Sequence, residues 1–260
     1  MDLVDRVLEA HGGADRWSAI SGLTARISLG GPFWAGRGWP GIWADPTIDM
    51  DTARERITFS PFVDPGRSVT YDAGTGVAAG ERIWLTDSDG RTVEERADPR
   101  SSFPTYSADR GWDALQTAYF TSVAVWNYLA TPFLFRYPGV SAHEIEPWRE
   151  DGETWRRLAV RFPPTLPNHN PDQVFYYDDT LYQRRVDYQP AVTGARIAHY
   201  TYEPQEFDGL TFYTKRAVYL RDAHGIANKS VAAITLATTS VHTLALLDHP
   251  LTARDFDTRP

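Results

Sequence analysis

The chain contains no cysteine, which excludes disulfides, thiolate metal sites and a cysteine nucleophile. It also lacks an excess of basic charge: 26 Lys and Arg against 34 Asp and Glu leave −8 at pH 7. Such a balance repels phosphate backbones unless the cations gather on one face. Arg156-Arg157 and Arg184-Arg185 are isolated pairs in strand-like segments, where neighbours point to opposite faces. No nucleic-acid partner is expected. No run approaches about 18 consecutive apolar residues, so no membrane span is expected. Asp2 to Ala10 carries acids where a secretory leader needs a basic start, and no unbroken apolar run follows. The N-terminus therefore reads as cytoplasmic. Nucleophile elbow, P-loop and dinucleotide fingerprint are all missing; the glycines at 74, 76 and 80 have neither the spacing nor a strand-to-helix context. The seven histidines are scattered, without an HExxH or another close pair. Neither a metal nor a cofactor is expected.

Rings are abundant, with nine Trp, 13 Tyr and 12 Phe. They fill ordinary β cores and also line apolar pockets. Leu3, Val4, Val7 and Leu8 recur at helical spacing before Gly12-Gly13, which predicts a short N-terminal helix. Leu23 to Leu29 alternates with period two, a first strand. Further strands are expected at 41–50, 54–60, 67–72, 81–86 and 91–96, separated by turn residues. From Ser107 to about Phe135 the period changes: Trp112, Leu115, Tyr119, Val123, Trp126, Ala130 and Phe133 fall on one stripe. Pro132 ends this main helix near Thr131. Period two then returns at 142–149, 154–162, 173–178, 181–189, 196–203, 211–220 and 229–238. The fold expected is mainly β, a large curved antiparallel sheet whose concave face the long helix covers. A length of 260 residues, with no linker and no repeat, is read as one domain over 1–260.

Several segments carry a resemblance. They are His11-Gly12-Gly13 with Trp17, Ile20 and Leu23, the run Trp126-Asn127-Tyr128-Leu129-Ala130-Thr131-Pro132-Phe133-Leu134-Phe135, and Trp155 to Pro163. Phe175-Tyr176-Tyr177-Asp178 with Leu181 and Arg184, and Asp208-Gly209-Leu210, complete the set. The chain resembles the lipoprotein-carrier superfamily of LolA, LolB and LppX-like proteins, in particular soluble actinobacterial members. The resemblance implies a half-barrel of about eleven antiparallel strands, with helices closing an apolar cavity for acyl chains. Envelope carriers have an export signal or lipobox, and none is read here. A similar half-barrel is used by VioE of violacein biosynthesis, which makes specialised metabolism an alternative setting.

Among polar residues, His169 in Pro167-Asn168-His169-Asn170-Pro171 is placed in a rigid loop at the cavity mouth, and His199 and Tyr200 in a strand nearby. They are the candidate catalytic groups, because a histidine accepts and returns a proton near neutral pH. The plainer reading makes His169 a turn residue and His199 a hydrogen-bonded sheet residue. Trp34, Trp39, Trp126 and Phe133 are the candidate ligand-binding rings; core packing is their plainer role. Two functions stay open: binding of a hydrophobic small molecule or acyl chain, and cofactor-independent acid–base chemistry on a hydrophobic intermediate. The expected partner is that small molecule, and a homodimer is allowed for.

Overall fold

The computed structural model describes residues 2–74, 80–103 and 110–245. Helix α1 (Leu3–Ala10) buries Leu3, Val4, Val7 and Leu8, and is capped by the Asp2 carboxylate, which accepts from the Asp5 backbone N–H at 2.8 Å. Helix α2 (Ala14–Ser18) leads into β1 (Ile20–Gly30), followed by α3 (Pro32–Gly36). Then come β2 (Thr47–Asp51), β3 (Arg56–Ser60), β4 (Ser68–Asp72), β5 (Arg82–Thr86) and β6 (Thr92–Ala97). After helix α4 (Ala114–Ala130) follow β7 (Ser141–Glu150), β8 (Glu153–Arg161), β9 (Asp172–Tyr177) and β10 (Gln183–Tyr188). Strands β11 (Ile197–Phe207), β12 (Leu210–Leu220) and β13 (Ile234–Ala245) complete the described chain.

The thirteen strands of the described residues form one open antiparallel sheet in the order β6-β5-β4-β3-β2-β1-β13-β12-β11-β10-β9-β8-β7. The chain walks outward from β1 to one edge, crosses to the other edge, and walks back until β13 pairs with β1. That crossing contains α4, which is why the helix lies inside the curve of the sheet. The sheet is mainly β with one central helix, as expected, and has thirteen strands where the resemblance implied about eleven. Several boundaries moved, most of all in the last strand, which runs Ile234–Ala245 where 229–238 was expected. Residues 41–45 form turns and bends, with Gly41 at φ 74°, and Trp43 among them is buried in the core, so the second strand starts only at Thr47. The expected helix start at Ser107 lies outside the described residues; α4 begins after Asp113. There the Asp113 carboxylate accepts from the Gln116 N–H at 2.7 Å and the Gln116 side chain accepts from the Asp113 N–H at 3.0 Å.

Helix α4 also differs from the single apolar stripe expected. Fifteen of its 17 residues are buried. It contains no Asp, Glu, Lys or Arg, so no face of it is charged, and such a helix can be enclosed on several sides.

Register fixes which side chains meet α4. Leu158 pairs with Phe175, Phe175 with Val186, Val186 with His199, His199 with Val218, and Val218 with Ile234. Paired residues share a face. One concave row therefore crosses six strands, apolar except for His199. The neighbouring row, shifted by one, faces the convex side: Tyr176, Arg185, Tyr200 and Ala217.

On that convex face Arg185 is fully buried, and all five of its N–H groups are used. They go to Asp187 (2.6 and 2.8 Å), Glu150 (2.7 Å), the Tyr200 hydroxyl (3.3 Å) and the Gly225 carbonyl (2.6 Å). Lys229 and Arg221 complete the charge balance at Glu150 and Asp187.

Candidate functional site

The space between α4 and the concave face falls into two lobes that meet at Ala124, Tyr128 and Arg216. The first has a polar wall, including Asn127, Asn168, His169, Gln173 and Gln183. Apart from His199, the second is lined mainly by Leu29, Trp34, Phe120, Val218 and Leu236. Each holds about 20 Å³ of free space, about enough for one water molecule. A guest larger than a water molecule therefore needs the walls of the lobes to shift.

Each wall residue has a local cause. Trp34 is delivered by α3, which starts at Gly31: a Cβ there would lie 2.4 Å from the Ala233 carbonyl oxygen, and its φ of 103° also favours glycine. His169 stacks on Phe120 with centroids 4.2 Å apart and lies near Tyr188 at 6.2 Å. His199 meets the Tyr128 ring edge at 4.5 Å, and the Tyr128 and Tyr188 hydroxyls share a 2.8 Å hydrogen bond.

Several unpaired polar atoms face this interior. Both ring nitrogens of His199, Nε2 of His169, Nε1 of Trp34, Oδ1 of Asn127 and Oε1 of Gln183 are buried without a hydrogen-bond partner among the described residues. Folded proteins leave few such atoms, because each costs about 1–3 kcal/mol of lost solvation. Other unpartnered atoms of the described residues lie outside both lobes, on Trp43, Thr117, Ser122, Tyr177, Thr238 and the Glu55 carboxyl; burial, and then the nearby Glu81, hold the Glu55 pKa well above the usual carboxylate range.

The sequence-derived candidates are divided by this geometry. His169, His199 and Trp34 face the interior. Tyr200 does not join His199: adjacent strand positions face opposite sides, and its hydroxyl donates to Glu150 in the convex network. Trp126 and Phe133 line neither lobe. Trp126 is fully buried and donates to the Asp51 carbonyl at 2.8 Å, and Phe133 stacks on Trp17 at 4.5 Å. Trp39 lies on the outer surface, in an open groove of about 830 Å³ with Ile42 and Val63. Arg216 and Tyr128 were missed. Lys215-Arg216 inside a strand reads as charged surface, and only the parity shared with Val218 would have turned Arg216 inward.

Burial also sets protonation. It pushes the pKa of His169 down to about 3 and of His11 down to about 4, and holds His199 well below the usual range, helped by the Arg216 charge. Below about pH 6.5 the unfolded chain then binds protons that the folded chain refuses. The stability from each neutral ring is complete above that pH and is lost as pH falls toward the folded value, by up to about 1.4 kcal/mol per pH unit per histidine. The stability difference between wild type and His169→Phe should therefore shift in favour of the variant from pH 7 to pH 4.5, read from urea midpoints. A difference constant with pH would contradict a neutral buried His169.

Among the described residues no helix is long and apolar enough to cross a membrane, and no group of three or more His, Cys, Asp or Glu is placed to hold a metal ion. The sheet with its enclosed helix is a fold seen in solved structures. A DUF1329 family protein from Desulfovibrio piger aligns over 98% of both chains with a TM-score of 0.54 at 13% identity. A putative outer membrane lipoprotein-sorting protein domain from Vibrio parahaemolyticus aligns over 94% of this chain and 93% of that one, with TM-score 0.49 and 9% identity. A LolA superfamily protein from Nitrosomonas europaea aligns over 97% and 96%, with TM-score 0.40 and 11% identity. The likeness of fold is carried by the first of these, the DUF1329 family protein, over nearly the whole of both chains. No family model matches the sequence, and no curated protein matches it.

Proposed function

We propose that the chain binds a mostly apolar small molecule between α4 and the concave face of the sheet. The observation that carries this reading is the set of unpaired polar atoms facing an otherwise apolar interior. A guest that fills the apolar lobe gains contact area, at about 25 cal/mol per Å² of apolar surface buried, and its polar end offers partners to the orphaned groups. The resemblance to lipoprotein carriers points the same way.

Ala124 is shared by both lobes and sits on α4, so Ala124→Leu fills the junction without adding a polar atom. Wild type is expected to enhance the fluorescence of the neutral probe N-phenyl-1-naphthylamine on binding, and Ala124→Leu to bind it at least about ten-fold more weakly, the equivalent of about 1.4 kcal/mol. Circular dichroism and melting temperature check that the variant folds. Unchanged binding in a folded Ala124→Leu, with loss in Trp39→Ala, would move the site to the outer groove and end the interior reading.

A catalytic role has one observation in its favour: two neutral imidazoles with open nitrogens face the same interior. Acid–base chemistry there would fall to His169 and His199, not to Tyr200. Loss of turnover in His199→Phe with retained binding would mark that role.

A further inference from the structure

Arg216 is placed inside by register. It pairs with Leu236 on β13 and Thr201 on β11, and Leu236 in turn pairs with Leu29 on β1, so the guanidinium rises from a largely apolar row toward α4. It is 5% exposed. A buried guanidinium is normally matched by a carboxylate, because an unpaired charge in a low-dielectric interior is strongly unfavourable. No Asp or Glu of the described residues forms an ion pair with it; the convex face shows the contrast, where Arg185 is matched by Glu150 and Asp187. The rings of Tyr128 and Tyr213 lie 5.0 and 5.5 Å from the Arg216 guanidinium carbon and supply only cation–π attraction.

One of its five N–H groups has a structural task. Nη2 donates to the Tyr128 carbonyl at 2.9 Å. In a continuing helix that carbonyl would accept from residue 132, which is Pro132 and has no N–H. Capping α4 accounts for this single bond. Among the described residues it leaves the other donors without a hydrogen-bond acceptor, and the positive charge without a carboxylate, at the junction of the two lobes. The charge persists at neutral pH even though burial lowers the pKa to about 10. His199, diagonal to Arg216 on the same face, adds two unpaired ring nitrogens, one of them a donor in the neutral ring.

We propose that Arg216, with His199 beside it, is the head-group site of this interior, and that its ligand is an apolar molecule ending in a carboxylate. This rests on the interior-binding reading above and adds the charge of the ligand to it. One cation matches one anion, and the planar guanidinium fork matches a planar carboxylate in two parallel bonds. The apolar body would follow the second lobe along Trp34, Phe120 and Leu236.

The test compares dodecanoate, 1-dodecanol and dodecyl phosphate as competitors of N-phenyl-1-naphthylamine, with wild type, Arg216→Met and Arg216→Lys. Wild type is expected to prefer dodecanoate over dodecanol by roughly 10- to 100-fold, the range of a charge-assisted bond. Arg216→Met should abolish that preference while still binding dodecanol, and Arg216→Lys should retain part of it. The apolar replacement of a buried charge is commonly tolerated; if Arg216→Met nevertheless fails to fold, the acid-to-alcohol ratio in wild type decides alone. Equal binding of acid and alcohol by wild type would overturn the head-group assignment and leave Arg216 as a helix cap. A preference that survives in a folded Arg216→Met would do the same, and tighter binding of dodecyl phosphate than of dodecanoate would overturn the carboxylate. If none of these competitors and no neutral probe binds, the interior-binding reading fails, and this proposal with it.

Discussion

Arg185→Ala is expected to lower stability by about 3–5 kcal/mol, the range for breaking one side of a buried ion pair. For a chain of this size that is a melting-temperature drop of roughly 6–15 °C. The cause lies in what the substitution leaves behind. Glu150, whose pKa is held down to about 2 with hydrogen bonds from Lys229, Tyr200 and Trp148, and Asp187, 7% exposed at its side chain, both lose their guanidinium partner. Lys229 and Arg221 still touch them, which places the effect near the lower end of that range. The network is on the convex face, so the folded variant should bind N-phenyl-1-naphthylamine as wild type does. A melting temperature within 2–3 °C of wild type, less than about 1 kcal/mol for a chain of this size, would show that the network contributes little.

Trp126→Ala is expected to cost about 3–5 kcal/mol as well, from lost contacts and the cavity left behind. Trp126 is 0% exposed, and its indole N–H bonds the Asp51 carbonyl at the end of β2, tying α4 to the sheet. Since it lines neither lobe, probe affinity should be unchanged in the folded fraction. Weaker binding with an unchanged melting temperature would restore Trp126 as a pocket wall.

Both variants bear on how the fold and the site are encoded. The strands could be read because a sheet with one face on a core alternates with period two, and each expected strand segment has a counterpart in the structure. The existence of α4 was legible for the same reason at period 3.6, whereas the burial of nearly all its residues goes beyond the single stripe and agrees with the missing charges over Ala114–Ala130. The order of strands was not legible. Local periodicity does not say that β13 returns to β1 and thereby brings Leu236, Arg216 and Thr201 into one row.

For that reason only part of the candidate site could be read from the sequence. His169 and His199 stood out as polar residues among apolar neighbours, and both face the interior. Tyr200 was grouped with His199 by proximity in sequence, although strand parity alone separates them. Large rings are poor guides, because Trp34 at a lobe and Trp126 in the core look alike in sequence. Arg216 is the converse case, since a basic residue beside Lys215 reads as surface until the register with Leu236 turns it inward.

The most direct measurement of interior binding is a two-dimensional nitrogen–proton NMR titration of the nine tryptophan indole N–H groups with 1-dodecanol. Trp34 Nε1 is buried at the second lobe without a partner among the described residues, whereas Trp126 and Trp155 are bonded elsewhere to Asp51 and Glu153. The Trp34 indole signal is expected to move as ligand is added, with the Trp126 and Trp155 signals left in place. A Trp34 signal unmoved at saturation, or movement confined to Trp39 in the outer groove, would contradict binding between α4 and the sheet.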